Sequence, residues 1–267
     1  MMFKTIERTD AIFKSELFTK DAIAFNVVFS IVQNKEKYPD PKCFSNGTDC
    51  IIVNSGSKWP VIVWTSDSFN DYEKVWVFVK QEFRTNNPFK IMSKKPLYDF
   101  LVNLGNANPE KALVLGVYKC DKLKDIEYKG KADNATESEF PLLVDLVAQF
   151  ETDTGEGGDA DAREEAAKAY ISSSLNKAWR NPDGKIVAIA KVNETEEYGR
   201  LGQIVTLPEE RGKSYAKMLV HFLTKQVLDL GKTPMLFTDF SYEPSNKCYT
   251  GAGYELIGTI VNYDISI

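Results

Sequence analysis

The sequence is poor in the residues that build metal centres. Its 267 residues contain a single histidine, His221, and four cysteines, Cys43, Cys50, Cys120 and Cys248, scattered without Cys-x-x-Cys spacing. His221 has no ligand-type neighbour along the chain, so neither a structural zinc site nor any other metal is expected. Long apolar runs are also missing. None approaches the length that spans a bilayer, and no membrane association is expected. The first residues carry Lys4, Glu7, Arg8 and Asp10, which interrupt any apolar core of a secretory signal. The expected location is cytoplasmic, and the glycosylation-like triplets beginning at Asn46, Asn134 and Asn193 are then coincidences. Positive charge is in deficit too. A net charge of −5 and a pI near 5.2 lack the Lys and Arg surplus that a phosphate-backbone binder needs, which argues against nucleic acid as a partner.

What is present is globular material: 43% hydrophobic and 27% charged residues, enough for sizeable cores. Domains typically hold roughly 100–150 residues, so this length predicts two. The N-terminal part reads as a helix near Ala11–Ser30, then strands at Cys50–Asn54, Val61–Thr65 and Lys111–Tyr118 with a mixed helical region between. Charged residues with Gly130 and Asn134 dilute the apolar signal over Asp121–Ser138. That stretch reads as a linker and sets the boundary near Lys129, giving domains 1–128 and 129–267.

In the second domain, Phe140, Leu143, Val144, Val147 and Phe150 lie on one helical face, with Glu137 and Glu139 in the first turn where the helix dipole favours acids. An acidic, glycine-bearing loop, Glu151–Asp161, precedes a second helix over Ala162–Leu175. Asn181-Pro-Asp-Gly predicts a tight turn that pairs Ala178–Arg180 with Lys185–Val192. A strand over Arg200–Thr206 ends at Pro208, and Ala216, Leu219, Val220, Leu223, Val227 and Leu230 then recur at helical spacing up to Gly231. A strand over Met235–Phe240, a short helix over Ser245–Ala252 stopped by Gly253, and a strand over Tyr254–Tyr263 complete the order. It is an α+β order, a mixed sheet with one parallel crossover.

Chemistry concentrates where the strand ending at Thr206 turns into the following helix. A helix start presents unspent N–H groups and partial positive charge to an anion. Gly212 permits a close backbone approach to a pyrophosphate, and Arg211 and Lys213 offer charge-assisted contacts. Arg211-Gly212-Lys213-Ser214-Tyr215-Ala216 resembles the Arg/Gln-x-x-Gly-x-Gly/Ala acetyl-CoA motif of the GNAT N-acetyltransferases, with Ser214 where glycine is usual. A serine with ordinary helical angles keeps the N–H donor there, so retuned rather than lost binding is expected. Downstream, Ser245-Asn-Lys-Cys-Tyr249-Thr-Gly-Ala-Gly253-Tyr254 resembles the family's Asn-x-x-x-Tyr-x-x-x-Gly-Phe/Tyr element at the correct distance. The asparagine many members carry seven residues before that tyrosine is Tyr242 here, and Asn246 is the candidate substitute.

Leu236-Phe-Thr-Asp-Phe-Ser-Tyr-Glu-Pro-Ser-Asn-Lys-Cys-Tyr, with Leu201-Gly-Gln-Ile-Val-Thr-Leu-Pro upstream, resembles predicted acetyltransferases with a divergent GNAT-like N-terminal half and a catalytic C-terminal domain. The resemblance implies two tandem GNAT-like acyl-CoA N-acyltransferase folds, each a mixed central sheet flanked by helices. It implies acetyl-CoA as co-substrate, no metal, and a small-molecule or peptide amine as acceptor, in a monomer or homodimer. By position, Ile204, Val205 and Thr206 offer backbone groups to the pantetheine arm, and Gly212, Lys213, Ser214, Tyr215, Ala216 and Lys217 hold the pyrophosphate. Tyr249 stands where the family's tyrosine protonates the departing thiolate. A phenol of pKa near 10 suits that transfer, while packing of the helix onto the sheet is the alternative role. Asp239 is the candidate general base, alongside a purely structural role for it, Glu196, Glu197 or water. The other reading is a non-catalytic acyl-CoA-binding or regulatory protein. Asp153 to Glu164 partly matches a calcium loop, but Gly155 and Gly157 occupy ligand positions, so calcium is not expected.

Overall fold

Two runs of apolar, largely β-branched residues, Cys-Ile-Ile-Val-Asn and Val-Ile-Val-Trp-Thr, form strands buried along their whole length, as strands covered on both faces must be. They belong to the first of two compact units in a computed structural model that describes residues 3–56, 59–83, 89–105, 108–155 and 158–266. The first unit comprises Met1–Val117, Thr238–Ser241 and Ile257–Ile267; the second comprises Tyr118–Phe237 and Tyr242–Leu256.

The first unit holds β1 (Lys4–Thr5), α1 (Glu16–Thr19), α2 (Asn26–Gln33), β2 (Lys42–Ser45), β3 (Cys50–Asn54), β4 (Val61–Thr65), α3 (Tyr72–Phe83), β5 (Phe89–Ser93), α4 (Lys95–Asn103) and most of β6 (Asn108–Lys119). The strands β1 to β4 pair antiparallel in sequence order, and β4 and β5 run parallel around the α3 crossover. The single helix expected over Ala11–Ser30 is broken. A 3-10 turn at Ala11–Lys14 gives way to α1, which Ser15 caps by accepting from Phe18 N–H at 3.3 Å. Asp21 follows in the turn between α1 and α2, where its Oδ2 accepts from Trp64 Nε1 at 2.7 Å and meets Lys94 Nζ at 2.6 Å. Tertiary partners win over local periodicity there.

The second unit holds β7 (Lys131–Asp133), α5 (Phe140–Thr154), α6 (Ala160–Ser172), β8 (Lys177–Arg180), β9 (Ile186–Glu194), β10 (Tyr198–Thr206), α7 (Tyr215–Asp229), most of β11 (Thr233–Asp239) and α8 (Glu243–Ala252). The strand order is β11-β10-β9-β8-β7. The β8–β9 hairpin forms at the predicted turn, where Gly184 takes φ +81 and the Asn181 side chain accepts from the N–H groups of Asp183 and Lys185. A 3-10 turn precedes α5, closed by a reciprocal Thr136–Glu139 capping box. The stretch read as a linker is partly ordered into the sheet: β7 lies inside it, and Trp179 Nε1 donates to Lys129 O at 3.1 Å.

Two apolar layers enclose this sheet. Leu143, Leu146, Val147, Ala167 and Tyr170 of α5 and α6 pack with Ile189 and Val205. Met218, Leu219, Leu223 and Val227 of α7 pack with Ala188, Leu201, Leu236, Tyr249 and Tyr254. The last strand, β12 (Glu255–Ser266), was expected to complete the second domain. Its Val261–Ile265 instead pair antiparallel with Phe89–Ser93 of β5, and Ile257–Ile267 fall within the first unit.

Candidate functional site

The strands β10 and β11 run parallel and are paired from Tyr198↔Thr233 to Leu201↔Leu236. The ladder ends there, although β10 continues to Thr206 and β11 continues past Leu236. On the other side of β10, the register with β9 slips between Gly202 and Val205: Gly202 faces Lys191, but Val205 faces Ile189. One extra residue on β10 makes this a β-bulge. The bulge reverses the phase of the strand, so that Leu201 and Ile204 both pack toward α7 and α8 while Val205 packs toward α5 and α6. Gln203 carries the cost, with φ at +49. Of the positions assigned to the pantetheine arm, Ile204, Val205 and Thr206 therefore lie on the stretch of β10 that has parted from β11.

Thr206 leads through a 3-10 turn at Pro208–Glu210 into the predicted anion site. The α-helix begins at Tyr215, not directly after Pro208, and Met218 N–H to Ser214 O, 3.1 Å, is its first hydrogen bond. The N–H groups of Tyr215, Ala216 and Lys217 thus precede any carbonyl the helix can offer, and no side chain of Ser214 caps them. Gly212 has φ +79 and Ser214 φ +66, flanking Lys213, and a Cβ built on Gly212 meets nothing within 4 Å. Alternating backbone of this kind turns successive N–H groups toward one point, the geometry of an anion nest. The ordinary helical angles expected for Ser214 are not found. Glycine takes such an angle freely, and Ser214 takes it against the strain of its Cβ.

The basic side chains are committed elsewhere. Arg211 donates through Nε to Thr206 O at 3.2 Å and pairs through Nη2 with Asp153 Oδ2 at 2.6 Å. It ties the turn to the ends of β10 and α5. Lys213 Nζ lies 2.8 Å from Glu210 Oε2, and this partner raises the ammonium pKa. Of the calcium-like stretch, Asp153 is the residue paired to Arg211, and Gly157 lies outside the described residues. Among the described residues no group of three or more His, Cys, Asp or Glu is placed to hold a metal ion.

Tyr249 sits near the end of α8, 7% exposed, in an aromatic row with Tyr118 and Tyr254 whose centroids lie 6.4 and 6.3 Å away. Tyr254 is structural: its hydroxyl meets Thr224 Oγ1 at 2.7 Å, both residues being buried. Tyr118, which sequence reasoning passed over, donates to Asn246 Oδ1 at 3.2 Å, one helical turn before Tyr249. Desolvation raises the Tyr118 phenol pKa. Tyr242 precedes α8 with its side chain exposed. Asp239 belongs to the first unit, and its Oδ1 accepts from Ser241 N and Oγ at 2.8 and 2.7 Å, closing a local turn. His221 is a packing residue. Its Nε2 meets Lys124 O at 2.9 Å and its Nδ1 meets the Tyr128 hydroxyl at 2.7 Å, pinning residues 124–128 onto α7, and burial lowers its pKa below the ordinary value.

Parted parallel strands, a bulge, and a positive-φ turn into a helix stand together in the second unit, and the fold that carries them resembles solved GNAT structures. A tandem GNAT protein from the clavulanic acid biosynthesis pathway aligns over 98% of this chain and 97% of its own, with TM-score 0.58 and 11% identity. A GCN5-related N-acetyltransferase from Sphaerobacter thermophilus aligns over 98% and 94%, with TM-score 0.67 and 13% identity. A GNAT-family acetyltransferase from Colwellia psychrerythraea covers 100% of both chains, with TM-score 0.60 and 16% identity. The chain has the GNAT fold in tandem. More particularly, residues 182–263 match the family model described as FR47-like protein, the segment from the β8–β9 turn into β12. No curated protein matches the sequence. No helix among the described residues is long and apolar enough to cross a membrane.

Proposed function

We propose that the chain is an N-acyltransferase that takes acetyl-CoA and passes the acetyl group to a primary amine of a small molecule or peptide, by direct attack within a ternary complex. The observation that carries this reading is a conjunction in the second unit: β10 parts from β11 just upstream of a turn whose N–H groups the helix leaves unspent. The turn suits a pyrophosphate, and the freed edge of β10 suits an extended arm with amide groups of its own. The thioester supplies the activated acyl group. This chain's residues orient and polarise.

In this reading Gly212, Lys213, Ser214, Tyr215, Ala216 and Lys217 hold the pyrophosphate chiefly through backbone donors. Arg211 shapes the turn from behind and reaches phosphate only by leaving Asp153. Ile204, Val205 and Thr206 line the arm, and Asn246, fixed by Tyr118, supports the cofactor side of α8. Tyr249 returns a proton to the departing thiolate. Water carries the amine proton away. In this reading the second unit holds the chemistry, and the first has a structural or substrate-shaping role. Four free cysteines fit a reducing, cytoplasmic setting, and we place the protein there as a monomer or homodimer.

One observation favours the alternative of a non-catalytic acyl-CoA-binding or regulatory protein: the motif's arginine is occupied by Asp153. Calorimetry of the full chain with acetyl-CoA, followed by release of free thiol over a panel of amines, separates the two. Binding with turnover is expected. Binding without turnover on any amine favours the alternative, and absence of binding rejects both.

A further inference from the structure

The bulge that parts β10 from β11 is held from outside the sheet. Gln203, at φ +49, is in a left-handed conformation that a residue with a side chain keeps only when its surroundings fix it. Its Oε1 accepts a hydrogen bond from the Tyr170 hydroxyl at 3.1 Å. Tyr170 lies on α6, is fully buried, and belongs to the same apolar cluster as Val205, the residue at which β10 rejoins the β9 ladder. Burial drives the phenol pKa far up, so the hydroxyl remains a protonated donor at any working pH. One side chain therefore grips both limbs of the bulge, one by a hydrogen bond and the other through the shared core.

The backbone so fixed is the stretch that β11 no longer pairs. From Thr206, where the anion turn begins, to Gln203 is a path of roughly 10 Å along an extended strand. An arm anchored at the turn and laid along this edge brings its acyl end toward the bulge. We propose that Tyr170 is a positioning residue: acting through Gln203, it sets the bulge peptides against the acyl end of the cofactor and so distinguishes acetyl-CoA from free CoA. This rests on the reading above that acetyl-CoA binds along β10.

The test is calorimetry of the full chain with acetyl-CoA and, separately, with CoA. Wild type is expected to bind acetyl-CoA the tighter. Tyr170→Phe keeps the ring and removes the donor, and should weaken acetyl-CoA binding about five- to tenfold, the size of one lost hydrogen bond, while CoA stays within about twofold. A structural role alone weakens both ligands together; equal losses, or none, overturn the proposal. Gln203→Met removes the acceptor from the half-buried partner of the pair and should give the same selective loss, so that a failure of Tyr170→Phe to fold leaves the question open to decision. Gln203→Gly adopts the bulge angle without constraint, and adding Tyr170→Phe to it should change the acetyl-CoA to CoA ratio less than about twofold. A full loss in that background refutes action through Gln203. Failure of wild type to bind either ligand rejects the acetyl-CoA reading and this inference with it, whereas wild-type binding with unselective variants rejects this inference alone.

Discussion

Replacing Ser214 tests whether the anion turn is built as the structure has it. A residue with a Cβ pays about 1–2 kcal/mol to sit in the left-handed region, and Ser214 stands there with φ +66. Glycine removes that strain, while its freer unfolded chain takes back about 0.5–1 kcal/mol. The net expectation for Ser214→Gly is a stabilisation between zero and about 1.5 kcal/mol, which follows from those two terms. Ser214→Ala keeps the strained angle and loses only the hydroxyl, which caps no backbone N–H. Its effect should stay within about 0.5 kcal/mol of zero. An ordinary N-cap serine behaves in the opposite way, losing a few tenths of a kcal/mol to glycine and about 1 to alanine. The sign of the glycine variant and the size of the alanine variant therefore discriminate together. Urea unfolding with the m-value checked for constancy measures both. A glycine variant that destabilises, beside an alanine variant that loses about 1 kcal/mol, would mean a conventional cap, and the nest of N–H groups would not exist as drawn. The glycine variant should also bind acetyl-CoA at least as well as wild type, since every backbone donor remains.

Three further outcomes are expected. Tyr249→Phe should retain acetyl-CoA affinity within about twofold and lower turnover by about 10²-fold or more, as loss of a general acid does; unchanged turnover in the thiol-release assay removes Tyr249 from the chemistry. Asp153→Asn frees Arg211 from an exposed ion pair whose strength is about 0–1 kcal/mol, so acetyl-CoA affinity should rise, by no more than about fivefold; a fall in calorimetric affinity would show that the pair organises the turn instead. Acid stability should report Glu139. The hydrogen bond from Arg180, at 2.5 and 2.9 Å, holds its carboxyl down to about 2 from an ordinary 4.5. A folded-state pKa below the unfolded one means stabilisation that is complete above pH about 4.5 and fades as pH falls through about 2. Glu139→Gln should flatten the urea midpoint across that window, and parallel wild-type and variant curves would refute the assignment.

Much of the second unit was written locally. Glu137 and Glu139 announce a helix start, Asn181-Pro-Asp-Gly a hairpin, Gly231 and Gly253 helix stops, and each works through the conformation of a few adjacent residues. The same holds for the motif around Gly212 and for the placement of Tyr249 on α8. The first helix failed because Asp21 answers to Trp64 and Lys94, forty and more positions away. The fate of β12 failed for a similar reason: strand pairing is a contact between distant segments, and an apolar run does not name its neighbour.

The sequence by itself determined most of the element order in the second unit, the turn at Gly212 and the place of Tyr249 on α8, because these depend on short-range backbone preference and helical spacing. Only the tertiary structure decided how the site is held. The left-handed angles of Gln203 and Ser214 have no glycine to signal them. The grips of Tyr170 on Gln203, Asp153 on Arg211 and Tyr118 on Asn246 join residues brought together by packing of helices and strands far apart in the chain. A side chain's intrinsic preference is local, but the constraint that overrides it comes from what is packed against it.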